Sequence, residues 1–141
     1  MYYKPLLIPL LIQLANVFFV WVMLYITRLS EMKKLDIDPQ DLEDGDNKKH
    51  LLKNVAGPSD NFSNQFEMPV LFYVAIIVAL TLMIQSPLLN SLAMAFVLLR
   101  VVHSMVQITY NKVMHRFTAY ALSSLALWAM WFVIGWHILN R

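Results

Sequence analysis

Residues 88–110 read LLNSLAMAFVLLRVVHSMVQITY, an apolar segment with polar side chains at helical spacing toward its end. This polar stripe consists of Arg100, His103, Gln107, Tyr110 and the following Asn111. At this spacing all its side chains share one face of an α-helix, and the segment is long enough to cross a bilayer. A guanidinium near mid-membrane costs about 2.5–3.5 kcal/mol on insertion scales, so we expect it to face a partner or a wet cavity. The stripe is therefore where a function should be sought.

Three further apolar segments have a similar length. The four spans are expected at about residues 5–28, 62–85, 88–111 and 117–139, and 59% of all residues are hydrophobic against 14% that are charged. About 20 residues of helix cover a hydrocarbon core of roughly 30 Å. The sequence therefore predicts an all-α integral membrane protein, a four-transmembrane-helix up-down bundle that forms one domain over residues 1–141. Gln13 and Asn16 of span 1 are expected to form hydrogen bonds between helices.

Basic residues are concentrated in two of the three connections between spans. They are Arg28, Lys33, Lys34, Lys48, Lys49 and Lys53 around the loop of residues 29–60, and Lys112 and Arg116 before span 4. On the other side only Lys4 and Arg141 are basic. The positive-inside rule predicts that both charged connections are cytoplasmic and both termini are outside. No basic cluster stands clear of the membrane, so nucleic-acid binding is not expected.

Several kinds of metal and thiol site are disfavoured. The acidic stretch at residues 36–46 does not place glycine and glutamate where an EF-hand needs them, so the loop is expected to be solvated and partly mobile. The four histidines are spread over separate segments, which disfavours haem and zinc. Because the chain has no cysteine, any thiol chemistry must use a sulfur that arrives with a substrate.

Spans 2 and 3 are joined by residues 85–87 alone, so they form an antiparallel hairpin. Span 2 is expected to start near Asn61, to continue through Glu67 and to kink at Pro69. A buried carboxylate and a buried guanidinium that can meet should pair, so we predict an ion pair between Glu67 and Arg100. The alternative is that these polar groups only lock the bundle.

These residues resemble the MAPEG family, the membrane-associated proteins of eicosanoid and glutathione metabolism. The resemblance is carried by Asn64-x-x-Glu67-x-Pro69 in span 2, Arg100-x-x-His103 in span 3 and Arg116 before span 4. The blocks at residues 61–69 and 111–117 look like those of poorly characterised bacterial members, which implies a location in a bacterial inner membrane. The family implies a homotrimer that holds glutathione, its co-substrate, between subunits near the cytoplasmic side.

The resemblance also implies roles for single residues. Arg116 would stabilise the glutathione thiolate, and Arg28 of a neighbouring subunit would contact a carboxylate. The other glutathione contacts implied are Asn64, Glu67, Arg100, His103, Gln107 and Tyr110. For His103, a core histidine with satisfied hydrogen bonds is the alternative.

The chain departs from the well-studied enzymes of the family at three positions. Asp60 stands where they carry an arginine, Gln107 stands where they carry a tyrosine, and Phe117 offers no hydroxyl. The resemblance implies a glutathione-dependent membrane transferase or peroxidase acting on lipophilic electrophiles or lipid hydroperoxides. The alternative is a non-catalytic lipid-binding or scaffolding membrane protein of the same family. An ion pathway is disfavoured, because the polar stripe does not continue to the outer end of span 3.

Overall fold

The computed structural model describes residues 4–140, apart from the side chain of Lys49, and this part of the chain is helical without a strand. Its helices are α1 (Lys4–Lys34), α2 (Gly45–Leu51), α3 (Ala56–Asn64), α4 (Met68–Thr81), α5 (Pro87–Ile108) and α6 (Val113–Leu139). Four segments are long and apolar enough to cross a membrane: Lys4–Lys34, Lys53–Thr81, Pro87–Ile108 and Val113–Leu139. The predicted all-α fold with four spans is confirmed. Arg141 and the Lys49 side chain, which entered the charge count, lie outside the described residues.

The second span is broken rather than kinked. A continuous helix through Glu67 was expected, but α3 ends at Asn64 and α4 begins only at Met68. Pro69 has no N–H and cannot donate to the carbonyl of Gln65, and Glu67 leaves the helical region with φ −99° and ψ −106°. The carbonyls of residues 61–63 still accept backbone hydrogen bonds, whereas the carbonyl of Asn64, the last residue of α3, has no backbone donor within residues 4–140.

The loop of residues 29–60, which we call the charged loop, is folded more extensively than expected. The first helix runs beyond residue 28 to Lys34, and the loop contains α2 and two short 3-10 turns. Leu24, Leu52 and Val55 form a small buried cluster that fastens the loop to the end of α1. The six acidic side chains of residues 36–46 are exposed, so only this part of the loop matches the solvated segment that was predicted.

The main apolar core lies where α4, α5 and α6 meet. Phe72 of α4 and Phe96 of α5 stack with ring centroids 4.6 Å apart, and both are fully buried. Small buried side chains at Ala75, Ala79 and Ala93 belong to the same core, which also includes Leu6 of α1. The core fills the half of the bundle away from the charged loop, and polar groups fill the other half.

A buried amide network joins α1, α3 and α5 at the end of the bundle that carries the charged loop, which we call the loop end. Gln13 donates to the Gln65 side-chain oxygen (3.0 Å), and Asn16 donates to Ser104 Oγ (3.2 Å). Gln65 in turn donates to Asn61 (2.8 Å) and to Ser104 (3.1 Å). The prediction that Gln13 and Asn16 bond between helices is confirmed.

Replacing the central amide of this network should destabilise the protein. Gln65→Leu removes the partner of Gln13, Asn61 and Ser104 at once, and we expect the free energy of unfolding to fall by about 2–3 kcal/mol. Thermal unfolding in one detergent measures the effect. Ser91→Ala is the control, since the exposed Ser91 hydroxyl bonds only within its own helix and its loss should change stability by less than about 0.5 kcal/mol. Equal stability of both variants would contradict a structural role for the network.

Two glycines should respond to alanine in opposite directions. A Cβ at Gly57 would lie 2.9 Å from the Gln107 carbonyl oxygen, so α3 would have to move away from α5, at a cost of about 1–3 kcal/mol. At Gly135 of α6 nothing lies within 4 Å, and alanine should stabilise that helix by about 0.5–1 kcal/mol. The same unfolding assay compares both variants. A shift of the same sign and size in both would contradict the close approach of α3 to α5.

Candidate functional site

The polar stripe faces a cavity of about 450 Å³ at the loop end of the bundle, which we call the polar pocket. Its walls are Asp60, Ser63, Asn64, Glu67, His103, Gln107, Val113, Arg116, Phe117 and Tyr120. The pocket thus combines the end of α3, the break before α4, one face of α5 and the first two turns of α6. Five of the residues predicted for a site share its wall: Asn64, Glu67, His103, Gln107 and Arg116.

Arg100 lies behind the pocket wall rather than in it. It is fully buried, and its Nη2 donates to the backbone oxygen of Asn64 at 2.9 Å. This is the carbonyl that the break in span 2 leaves without a helical donor. The guanidinium carbon also lies 5.6 Å from the centre of the Tyr120 ring, at cation–π distance. Among the described residues, Nε and Nη1 of Arg100 have no hydrogen-bond partner.

The predicted ion pair between Glu67 and Arg100 is not formed. Within residues 4–140, Arg100 has its one hydrogen bond to Asn64, and Glu67 is exposed and forms no ion pair. The physical reason is the break: because span 2 is not a continuous helix, a backbone oxygen takes the place beside Arg100 that was expected for the carboxylate. Glu67 instead lines the pocket, where its charge is available to a ligand.

His103 is held by the first turn of α6. Its Nδ1 lies 3.0 Å from the backbone oxygen of Arg116, and because a carbonyl can only accept, Nδ1 carries the proton. In the neutral ring Nε2 then carries the lone pair. Nε2 is buried and has no hydrogen-bond partner in the described part of the chain. His103 is therefore both a structural tie and a wall residue with a free acceptor.

Gln107 and Asn64 form the floor between α3 and α5. Asn64 Nδ2 donates to Gln107 Oε1 at 3.3 Å, and the Gln107 side chain is almost fully buried. The close approach of Gly57 to the Gln107 backbone brings α3 against this part of α5. The two amides thus hold each other at the wall of the pocket.

Among the described residues, Arg116 is the one Lys or Arg side chain that lines the polar pocket, and it forms no ion pair with Asp60 or Glu67 of the same wall. It lies in the first turn of α6, is half-buried, and donates from Nη1 to the side-chain oxygen of Asn111 at 2.9 Å. Asn111 adopts a left-handed backbone (φ 47°) where α5 ends, a conformation that asparagine tolerates well. No carboxylate within residues 4–140 forms an ion pair with Arg116. Its charge is therefore available to an anionic group in the pocket.

Tyr110 and Arg28 do not line the polar pocket of their own subunit. Because α5 ends at Ile108, Tyr110 leaves the face that carries the polar stripe; it is exposed and contacts His115 Nδ1 at 3.0 Å. Arg28 lies at the end of α1 and lines a different cavity.

Sequence reasoning missed three wall residues, Ser63, Val113 and Tyr120, of which Tyr120 makes contacts with the polar stripe. Tyr120 lies one turn after Arg116 on α6, beneath the ring of His103 and the guanidinium of Arg100. The sequence feature that could have identified Tyr120 is its spacing of four residues from Arg116, which places both side chains on one helix face. In the part of the chain that is described, no group of three histidine or carboxylate side chains is placed to hold a metal ion.

Comparison with protein families gives one match. The MAPEG family model matches residues 6–136 of the 141-residue chain. No curated protein and no solved structure gives a significant match. The family match covers the second and third candidate spans completely, most of the first and fourth, and every residue of the polar pocket.

Glu67 should be unimportant for stability. Because Glu67 is exposed and unpaired, Glu67→Gln should change the free energy of unfolding by less than about 0.5 kcal/mol. Breaking a buried ion pair would instead cost about 3–5 kcal/mol. Thermal unfolding in detergent distinguishes the two, with Gln65→Leu as the variant that shows the assay resolves a loss. If Glu67→Gln lowered the free energy of unfolding by several kcal/mol, that result would support an ion pair between Glu67 and Arg100 after all.

Proposed function

Because the chain belongs to the MAPEG family, we propose that the polar pocket binds glutathione and that the protein is a glutathione-dependent membrane transferase or peroxidase. The observation that carries the proposal is Arg116, an unpaired cation in the same wall as the free Nε2 of His103. The proposed substrates are lipophilic electrophiles or lipid hydroperoxides.

The charges and amides of the pocket suit a zwitterionic peptide. Glutathione carries two carboxylates, an ammonium group, two peptide groups and a thiol. Glu67 accepts from the ammonium, while Asn64 and Gln107 bond to the peptide groups. Arg28 of a neighbouring subunit contacts a carboxylate in a proposed homotrimer, since it does not line the pocket of its own subunit.

The chemistry requires the thiol to lose its proton. A thiol with a pKa near 8.5 is mostly protonated at neutral pH, and a nearby cation such as Arg116 favours the thiolate. The thiol proton passes to solvent, because Nε2 of His103 is buried and does not face a thiol in the pocket. The thiolate then displaces a leaving group from an electrophilic carbon. With a hydroperoxide it takes the terminal oxygen and releases an alcohol, and a second glutathione converts the sulfenic acid to the disulfide and water.

A lipophilic substrate can reach this pocket from the bilayer. Val113 and Phe117 line the pocket, and their side chains are 61% and 60% exposed. The polar wall is therefore continuous with apolar surface that faces lipid once the helices span a membrane. We place the protein in a bacterial inner membrane with the loop end in the cytoplasm, where glutathione is available.

A non-catalytic lipid-binding or scaffolding role is the second candidate, and Asp60 favours it. Asp60 lines the polar pocket, where its negative charge opposes the carboxylates of glutathione. Gln107 in place of tyrosine, and Phe117 in place of a residue with a hydroxyl, remove two hydroxyl groups from the site. Copurified lipid without thiol-dependent turnover would support this candidate.

Arg116→Ala should reduce turnover more than it reduces the affinity for glutathione. Loss of the cation that stabilises the thiolate should lower kcat/KM by about 10²–10³-fold, while Arg116→Lys retains part of the activity. The measurement is conjugation of 1-chloro-2,4-dinitrobenzene and reduction of a lipid hydroperoxide by purified protein, with glutathione binding followed by calorimetry.

Lys112→Ala is the matched control for this experiment. Lys112 precedes α6, is exposed and lies outside the polar pocket, so its loss should leave kcat/KM within about twofold. Wild-type protein that neither binds glutathione nor turns over would overturn the proposal. Equal losses in Arg116→Ala and Lys112→Ala would overturn the role given to Arg116.

A further inference from the structure

A second cavity, of about 440 Å³, lies at the loop end between α1, α2 and the start of α3. We call it the basic cavity; its walls are Arg28, Gly45, Lys48, Leu52, Lys53, Val55, Ala56, Ser59 and Asp60. It shares only Asp60 with the polar pocket. The glutathione chemistry proposed above does not account for its two lysines.

The basic cavity has an unbalanced positive charge. Arg28, Lys48 and Lys53 line it together with one carboxylate, that of Asp60. None of the three cations forms an ion pair within the described residues. Arg28 Nε is buried and has no hydrogen-bond partner in residues 4–140. An anion with several oxygen acceptors would satisfy both the charge and this donor.

The cavity also has an apolar wall and lies at the edge of two candidate spans. Leu52 and Val55 are buried beside it, so the ligand it suits is not purely ionic. Lys53 begins the second membrane segment, and Arg28 lies near the end of the first. Trp21 and Tyr25 lie two turns and one turn before Arg28 on α1 and are 43% and 50% exposed, as aromatic side chains at a membrane interface are.

We propose that the basic cavity binds the phosphate group of an anionic membrane phospholipid, with the acyl chains lying along the exposed surface of α1. Arg28, Lys48 and Lys53 contact the phosphate, and Leu52 and Val55 contact the glycerol and the first acyl carbons. A soluble phosphate ester would use the cations but would leave the apolar wall and the α1 surface without a role. Arg28 is shared with the carboxylate contact proposed for glutathione, so the test is made on the two lysines, which that contact does not use.

The test compares two double variants that each remove two charges from the same loop. Lys48→Gln/Lys53→Gln empties the basic cavity of its lysines, whereas Lys33→Gln/Lys34→Gln removes exposed lysines that do not line it. Full-length protein is titrated with phosphatidylglycerol or phosphatidylcholine, and bound lipid is counted by native mass spectrometry. We expect the cavity variant to lose phosphatidylglycerol affinity about fivefold or more, and the control to stay within about twofold.

Two further variants separate the effect of charge from the effect of misfolding. Asp60→Asn should raise phosphatidylglycerol affinity because it removes the opposing charge, and Lys48→Arg/Lys53→Arg should retain it, which separates charge loss from misfolding. Equal losses in both glutamine variants, or no preference over phosphatidylcholine, would overturn the proposal. Displacement of the lipid by inorganic phosphate at low millimolar concentration would assign the cavity to soluble phosphate, and displacement by glutathione would assign it to the glutathione site; either result overturns it.

Discussion

The hydrogen bond between the Arg100 guanidinium and the Asn64 carbonyl is the interaction on which the loop-end half of the protein depends. In a membrane interior each backbone polar group needs a partner, because water is not available to replace a lost helical bond. Pro69 breaks the second span, and Arg100 supplies a donor that the interrupted helix cannot. The cost of burying the charge and the cost of breaking the helix thus offset each other, and the break opens the wall of the polar pocket.

The amide network below this bond gives the break a fixed position. Gln65 lies within the broken segment, and its side chain bonds to residues of α1, α3 and α5 at 2.8–3.1 Å. Each bond is worth about 1 kcal/mol or less between membrane helices, so the network acts through its number of contacts. Residues 65–67 are held from three sides, which keeps Asn64 and Glu67 at the pocket rather than on a mobile loop.

Both cavities are lined by charged groups that form no ion pair within residues 4–140. In the polar pocket Arg116 has no carboxylate partner, and in the basic cavity three cations face one carboxylate, that of Asp60. Asp60 belongs to both walls, so its charge lowers the anion affinity of both sites at once. Asp60, which stands where the family's enzymes carry an arginine, therefore affects the charge of both cavities.

The sequence by itself determined the four spans, the polar stripe and the family, because apolar length and residue spacing along a helix are local properties. It also identified five residues of the polar pocket, four of them on two helix faces and Arg116 through the resemblance to the family. Only the tertiary structure decided the partner of Arg100, the break at residues 65–67, the place of Tyr120 and the basic cavity. Each of these depends on which groups from distant segments meet, and a backbone carbonyl, unlike a carboxylate, leaves no mark in the sequence.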